Sequence, residues 1–256
     1  MKKVYYLTTL KCNLKCFYCK QNHSLGSNRI PPELNNELGK LGVIDTFAIT
    51  GGEPLLMENL AEFINSLNAK MIILFTNATL VTSRFIDTIK DKNLHFHITY
   101  HYAGVDLGDF IIKTSMIGEK FRVGIRAVLH PSLTEDFIKK VGDSIPLQWK
   151  SYIGVYQDIR YPNKEYVNRH KEYLKEIDNK IINNQCQISW RGKKCTAGKD
   201  IIFIFYNGDV YRCNTLLDRT LGNIFSGEYK LLDEAEECPA DICKCYHQGQ
   251  MYAENN

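Results

Sequence analysis

The chain has 256 residues, a length typical of one large domain or of one domain with a small addition. A hydrophobic fraction of 44% and a charged fraction of 24% are those of an ordinary globular protein and exclude disordered and fibrous classes. The formal net charge of +3 is too balanced to indicate a nucleic-acid-binding surface. No apolar run approaches the roughly 20 residues of a membrane helix, and the first residues lack a signal-peptide pattern. We therefore expect a cytoplasmic protein with neither a membrane nor a nucleic acid as partner.

The middle of the chain alternates predicted strands with predicted helices. Short runs rich in β-branched and aromatic residues predict strands over 3–9, 46–50, 70–76, 95–101, 122–129 and 147–154. Apolar residues at spacings of three and four predict helices over 57–67, 80–90, 109–120 and 135–143. This alternation predicts right-handed βαβ units and a parallel sheet. Since eight units close a full barrel, the six units predict an α/β fold with a partial (β/α)6 barrel.

The remainder of the chain has a different pattern. A polar amphipathic helix follows the barrel, and from Cys186 onward the sequence is rich in hairpin signals and cysteines. We expect the barrel over 1–155, a connecting helix over 156–185, and a small cysteine-rich module of β-hairpin and helix over 186–256.

The nine cysteines fall into two groups separated by 166 residues. The first group is Cys12, Cys16 and Cys19, and the second is Cys186, Cys195, Cys213, Cys238, Cys243 and Cys245. Disulfides are a poor explanation for so many thiols in a reducing compartment. Two groups with an empty middle therefore predict two metal sites on one scaffold.

The first group directly follows the first predicted strand, with the spacing Cys12-x3-Cys16-x2-Cys19. The carboxyl ends of the strands are where parallel α/β folds place their chemistry. Three thiolates can bind three irons of a cubane iron–sulfur cluster and leave the fourth iron open for reaction. A structural zinc ion with a distant fourth ligand, such as His23, is the alternative.

A second motif follows the second predicted strand. Thr50-Gly51-Gly52-Glu53-Pro54 lies at the same edge of the predicted sheet as the cysteines. Two glycines let the backbone approach a ligand closely, with their N–H and C=O groups free to bond it. Thr76-Asn77 follows the third strand at that edge, and the three elements together form a specific set.

With these motifs, residues 4–155 resemble the radical S-adenosylmethionine (radical SAM) superfamily. The resemblance implies that the three cysteines of the first group hold a [4Fe–4S] cluster, whose open iron is chelated by the amino and carboxylate groups of SAM. It also implies that Gly51, Gly52 and Glu53 contact the methionine amino group.

Further cofactor contacts are implied by the same resemblance. Tyr18, before the third cysteine, is expected near the adenine, and Asn77 and Thr99 are expected to touch SAM. Many relatives carry Ser-Leu-Asp-Gly at the fourth strand, whereas this chain has Thr99-Tyr100-His101-Tyr102. The polar contacts at that strand therefore differ from the family pattern.

The second cysteine group surrounds a predicted hairpin. Asn207-Gly208 between two apolar runs is a strong hairpin signal, and it brings Cys195 and Cys213 to one end. With Leu221-Gly222-Asn223-Ile224, this layout resembles the SPASM and twitch modules of radical SAM enzymes, which implies an auxiliary [4Fe–4S] cluster. Two clusters held by cysteines alone need eight thiolates and six are present, so we expect one. Its other ligands are sought among Cys186, Cys238, Cys243 and Cys245, and a zinc knuckle is the alternative.

The resemblance implies reductive cleavage of SAM to a 5′-deoxyadenosyl radical, which removes a hydrogen atom from the substrate. A flavodoxin or ferredoxin-type protein would supply the electron. We expect oxidation, cross-linking or epimerisation of a peptide or protein, as in the maturation of ribosomally made peptides. Arg126 and His130 end the fifth strand on one side and are candidates for a base or a substrate anchor. A dehydrogenase or epimerase of a small molecule such as an aminocyclitol or sugar, and a non-catalytic redox sensor, are the alternatives.

Overall fold

The structure is a computed structural model that describes residues 2–17, 19, 21–90, 93–127, 191–214 and 216–240, with single positions at 136, 140, 143 and 144. The predicted strand over 147–154 and the connecting helix over 156–185 lie outside the described residues, as does the helix over 135–143 apart from those single positions. Among the described residues, no helix has the length and apolar character needed to cross a membrane.

Five parallel strands form the central part of the sheet. They are β1 (Lys2–Leu7), β2 (Ile44–Thr50), β3 (Ala69–Thr76), β4 (Leu94–Tyr100) and β5 (Arg122–Ala127). Each pairs in parallel with the next along the chain. The α/β class and the parallel core are thereby confirmed, with strand ends within about two residues of the prediction.

Helices connect these strands. They are α1 (Glu33–Lys40), a 3-10 turn (Pro54–Leu56), α2 (Leu60–Ser66), α3 (Ser83–Thr88) and α4 (Leu107–Gly118). The sequence pattern did not predict α1, because Leu34 and Leu38 are its only buried residues in an otherwise polar segment.

The two faces of the sheet differ in character. Along β4, the buried side chains alternate with the half-buried side chains of His95, His97 and Thr99. The buried set joins the main apolar core, in which Phe63 makes an edge contact with Phe47, the ring centroids being 5.7 Å apart. The opposite face carries polar side chains toward the carboxyl edge of the sheet, where the cysteines and the glycine motif follow their strands.

The C-terminal hairpin continues the same sheet. Its strands are β7 (Ile201–Ile204), β8 (Asp209–Cys213), β9 (Leu216–Asn223) and β10 (Glu228–Tyr229). Strand β7 pairs in parallel with β1, and the others follow antiparallel, so the strand order is β10-β9-β8-β7-β1-β2-β3-β4-β5. Two short strands, β6 (Lys194–Cys195) and β11 (Glu236–Glu237), form a separate pair. The predicted domain boundaries remain predictions, but the hairpin and the barrel strands share one sheet.

The predicted hairpin turn at Asn207-Gly208 is confirmed. Gly208 has φ +88°, and a Cβ there would lie 2.5 Å from the ring of Phe225. Asn223 donates its side-chain amide to the carbonyl of Asn207 at 2.9 Å and to the carboxylate of Asp209 at 3.0 Å. The turn therefore requires glycine both for its backbone conformation and for space.

Replacing Gly208 by alanine should destabilise the protein more than the same change at Gly42. Gly42 also has a positive φ of +77°, but no atom lies within 4 Å of a Cβ placed there. We expect Gly42→Ala to cost about 1 kcal/mol for the backbone alone. Gly208→Ala should cost about 2 kcal/mol more, because the ring of Phe225 must move. Urea unfolding measures both, and equal losses would contradict the packing argument.

Candidate active site

A cavity of about 360 Å³ lies at the carboxyl edge of the parallel strands. Its wall brings together eight residues named above as candidate ligands or cofactor contacts: Cys12, Cys16, Cys19, His23, Gly51, Gly52, Asn77 and Thr99. Leu14, Gln21 and Phe75 also line the cavity and were not selected. Phe75 occupies the alternating position before Asn77 on the same face, so strand alternation was the signal that would have found it.

The glycine motif packs directly against the backbone of the cysteine loop. Gly52 donates its N–H to the carbonyl of Thr9 at 2.7 Å, and Glu53 donates its N–H to the carbonyl of Lys11 at 2.8 Å. A Cβ on Gly52 would lie 2.1 Å from that same Lys11 oxygen. The expectation that the N–H of Gly52 is free for a ligand is therefore wrong. The close approach that requires glycine here is between two loops of the chain.

The side chain of Glu53 lies beneath the cavity and is fully buried. Its carboxylate accepts hydrogen bonds from the hydroxyl of Thr76 (2.7 Å) and from the main-chain N–H groups of Asn77 (2.8 Å) and Leu55 (3.0 Å). Burial raises the pKa of this carboxyl, and the three donors partly offset that rise. The carboxylate thus fixes the loop after β3 to the loop after β2, and it is not part of the cavity wall.

His101 follows β4 and contributes an imidazole to the cavity wall. Burial lowers the pKa of this imidazole to about 4. His101 is therefore neutral near pH 7 and adds hydrogen-bonding capacity to the cavity without adding charge.

Of the two candidate residues at the end of the fifth strand, the structure describes Arg126. The guanidinium carbon of Arg126 lies 5.4 Å from the ring centroid of Phe75, so Arg126 contacts a residue of the cavity wall. Arg126 itself does not line the cavity. His130 and Tyr18 lie outside the described residues.

Three segments that carry cysteines of the second group meet near β7. Cys195 and Cys213 pack against one small apolar cluster, formed by Ala197, Ile201 and Phe203. Cys238 donates its main-chain N–H to the carbonyl of Lys193 at 2.9 Å, which places it beside the segment of Cys195.

Arg212 holds these segments together from the position before Cys213. Its guanidinium donates to the carbonyl groups of Ala197 (3.2 Å), Glu236 (2.6 Å) and Glu237 (3.0 Å). Cys186, Cys243 and Cys245 lie outside the described residues.

Within the described part of the chain, no three Cys, His, Asp or Glu side chains converge closely enough to hold a single metal ion. A cubane cluster makes a different demand, because each cysteine binds a different iron and the sulfur atoms need not meet at one point. None of the six described cysteines forms a disulfide.

Comparison with known families matches residues 6–140 to the Radical SAM superfamily. An uncharacterized protein of Methanocaldococcus jannaschii, MJ0907, is 25% identical over 264 residues, which cover 88% of this chain and 89% of that protein. A probable GTP 3′,8-cyclase of Methanococcus aeolicus is 36% identical over 98 residues, covering 34% of this chain and 32% of the cyclase. The chain thus spans about a third of the length of that cyclase.

Two solved structures share the fold. SuiB of Streptococcus suis, bound to S-adenosylmethionine, has a TM-score of 0.59 at 18% identity, covering 88% of this chain and 62% of SuiB. The protein anSMEcpe, with bound AdoMet and a peptide, has a TM-score of 0.57 at 16% identity, covering 99% of this chain and 97% of anSMEcpe. At these identities the likeness concerns the fold alone.

Replacing Gly52 by alanine should disrupt the packing between the two loops. Because a Cβ would lie 2.1 Å from the Lys11 oxygen, the cysteine loop must move, and we expect a loss of about 3 kcal/mol in the free energy of unfolding. Gly39→Ala is the matched control, since Gly39 lies in α1 with no atom within 4 Å of a Cβ. That change should stabilise by about 0.5–1 kcal/mol, because alanine favours a helix more than glycine does. Urea unfolding that gives both variants the stability of the parent chain would contradict this account.

Proposed function

Because the chain belongs to the radical SAM superfamily, we propose that Cys12, Cys16 and Cys19 hold the [4Fe–4S] cluster that the family implies and that the adjoining cavity binds SAM. One observation carries this assignment: all three cysteines line a single cavity at the carboxyl edge of the parallel strands. That is the edge at which α/β folds of this kind bind their ligands.

The cysteine loop is chemically suited to a cluster. The three side chains are half-buried or exposed at the cavity and form no disulfides. Burial raises the pKa of the Cys12 thiol, whereas the main-chain N–H of Leu14, 3.4 Å from the Cys12 sulfur, favours the thiolate. Iron replaces the proton on binding, since thiolate is the form that ligates metals.

The remaining cavity residues suit a polar cofactor with an adenine ring. When bound, the cluster and SAM supply the 5′-deoxyadenosyl radical that removes a hydrogen atom from the substrate. The loop contact at Gly51 and Gly52 sets the shape of the wall, and Thr99 and neutral His101 present polar groups. Phe75 contributes an apolar ring to the wall. We also propose that Tyr18 contacts the adenine. Glu53 acts as a positioning residue beneath the cavity.

We further propose an auxiliary [4Fe–4S] cluster in a twitch-like arrangement at the second cysteine group. The convergence of the segments of Cys195, Cys213 and Cys238 supports it, because Arg212 joins all three. Cys186, Cys243 and Cys245 stay candidates for the remaining ligand. The cluster would accept an electron from the substrate, which allows a net oxidation or a cross-link.

The proposed substrate is a peptide or protein, and the proposed electron donor is a flavodoxin or ferredoxin-type protein. The shared fold over nearly the whole chain with anSMEcpe, which was crystallised with a peptide, supports the peptide. Arg126, which contacts the ring of Phe75, is proposed as a substrate anchor, and His130 as a substrate anchor or base. A small-molecule substrate is the second candidate, because a probable GTP 3′,8-cyclase is 36% identical over 98 residues.

Formation of 5′-deoxyadenosine tests both clusters when it is measured together with iron content. The parent chain, reconstituted without oxygen and reduced with dithionite, should cleave SAM and hold roughly eight irons, since each cubane carries four. Cys16→Ala should abolish cleavage and hold roughly four irons. The double change Cys195→Ala/Cys213→Ala should also hold roughly four irons but still form 5′-deoxyadenosine.

Each assignment has its own contradicting outcome. A parent chain with full iron that forms no 5′-deoxyadenosine would contradict the enzymatic proposal. A Cys195→Ala/Cys213→Ala variant that holds as much iron as the parent would contradict the proposed auxiliary cluster, but not the assignment of the first cluster.

A further inference from the structure

Three polar side chains beside Cys12 form a closed ring of hydrogen bonds. Asn77 donates its side-chain N–H to Asn13 Oδ1 at 3.1 Å, and Asn13 Nδ2 donates to Thr79 Oγ1 at 2.7 Å. Thr79 Oγ1 in turn donates to Asn77 Oδ1 at 2.5 Å. These three side chains, called the Asn77 ring below, come from two loops: Asn13 from the cysteine loop, and the others from the loop after β3.

The orientation of the Asn77 amide is fixed by the backbone. The main-chain N–H of Thr79 donates to Asn77 Oδ1 at 2.9 Å, so the oxygen of the amide must face Thr79. The NH₂ group then points the other way, toward the cysteine loop. One of its two hydrogens serves Asn13, and the nitrogen also lies 3.8 Å from the sulfur of Cys12.

The loop that carries the Asn77 ring is held firmly. Asn77 is only 4% exposed, and Ala78 beside it has the left-handed φ of +61°, a conformation that costs a non-glycine residue about 1 kcal/mol or more. The N–H of Ala78 donates to the hydroxyl of Thr76, and the amine of Lys113 on α4 donates to the carbonyl of Thr79. These contacts restrain the loop that places the amide of Asn77 beside Cys12.

We propose that the Asn77 ring aims an N–H at the sulfur of Cys12 and thereby raises the reduction potential of the cluster that Cys12 binds. The inference rests on the proposed function, in which Cys12 is a cluster ligand. A reduced cluster carries more negative charge, so an N–H donor at a ligand sulfur stabilises it more than the oxidised form. Asn77 makes the contact, whereas Asn13 and Thr79 act through it and are positioning residues.

Thr79 offers the sharpest variant, because valine has nearly the same shape and lacks the hydroxyl. Thr79→Val breaks two bonds of the Asn77 ring and removes the acceptor of the Asn13 amide, while the main-chain N–H of Thr79 still holds Asn77 Oδ1. The amide of Asn77 is then held less tightly against Cys12, and the midpoint potential should fall. The measurement is an EPR-monitored titration of the iron-loaded protein with dithionite and redox mediators. It is made in the Cys195→Ala/Cys213→Ala background so that the N-terminal cluster alone is observed. We expect a several-fold change in the ratio of oxidised to reduced cluster at a fixed potential, a tenfold change being 59 mV for one electron.

Two controls separate tuning from general damage. Thr79→Ser keeps the hydroxyl and should restore the parent potential. Thr88→Val removes the hydroxyl that donates to the carbonyl of Arg84 on α3, away from the cysteine loop, and should change nothing. Asn77→Leu removes the N–H donor itself and should lower the potential at least as much as Thr79→Val. If the Thr79→Val protein binds too little cluster for a titration, Asn13→Ser is measured in its place, because it also breaks the Asn77 ring.

Unchanged midpoint potentials in both Asn77→Leu and a ring-breaking variant, at full iron content, would overturn the inference. An iron-loaded parent chain that fails to cleave SAM would instead contradict the proposed function and leave the potentials measurable. A parent chain that binds no iron at Cys12, Cys16 and Cys19 would overturn both.

Discussion

The contact between two loop backbones at the carboxyl edge of the sheet determines the shape of the candidate site. The turn after β2 can reach the cysteine loop only because Gly52 lacks a side chain, and two main-chain hydrogen bonds then join the loops at 2.7 and 2.8 Å. Any larger residue at Gly52 would separate them, so the cavity wall and the cysteine positions are set by the same contact.

Buried polar groups extend this contact to a third loop. The carboxylate of Glu53 accepts hydrogen bonds from two main-chain N–H groups and one hydroxyl, and the donors in turn compensate for the burial of the carboxylate. Through Asn77 the connection continues to Asn13 and so returns to the cysteine loop. The loops after β1, β2 and β3 are thereby joined by hydrogen bonds within the chain, which favours a preorganised site.

Much of the parallel core could be predicted because its signals are local. Short runs rich in β-branched and aromatic residues marked β1 to β5, and Asn207-Gly208 marked the hairpin turn. The pairing of β7 with β1 could not be predicted, since no local pattern tells which distant strand an apolar run will join. Helix α1 was not predicted, because two buried leucines in an otherwise polar segment of eight residues do not establish a helical spacing of apolar residues.

The cavity residues were largely predicted, but the role of Gly52 in the wall and that of Glu53 beneath it were not. Motif spacing brought the cysteines, Gly51, Gly52, Asn77 and Thr99 to one edge, as the structure shows. The spacing did not reveal that the Gly52 N–H and the Glu53 carboxylate already make hydrogen bonds within the chain. Spacing places residues at an edge of the sheet, whereas the direction of each donor depends on tertiary contacts that only the folded backbone defines.

The central claim is that the loop of Cys12, Cys16 and Cys19 holds a cluster that SAM contacts directly. The most direct measurement is the EPR spectrum of the reduced Cys195→Ala/Cys213→Ala variant, recorded without and with SAM. The account predicts a cluster signal that changes when SAM is added and that is absent after the further change Cys16→Ala. A signal unaffected by SAM would contradict the claim, because it would place the cofactor away from the cluster.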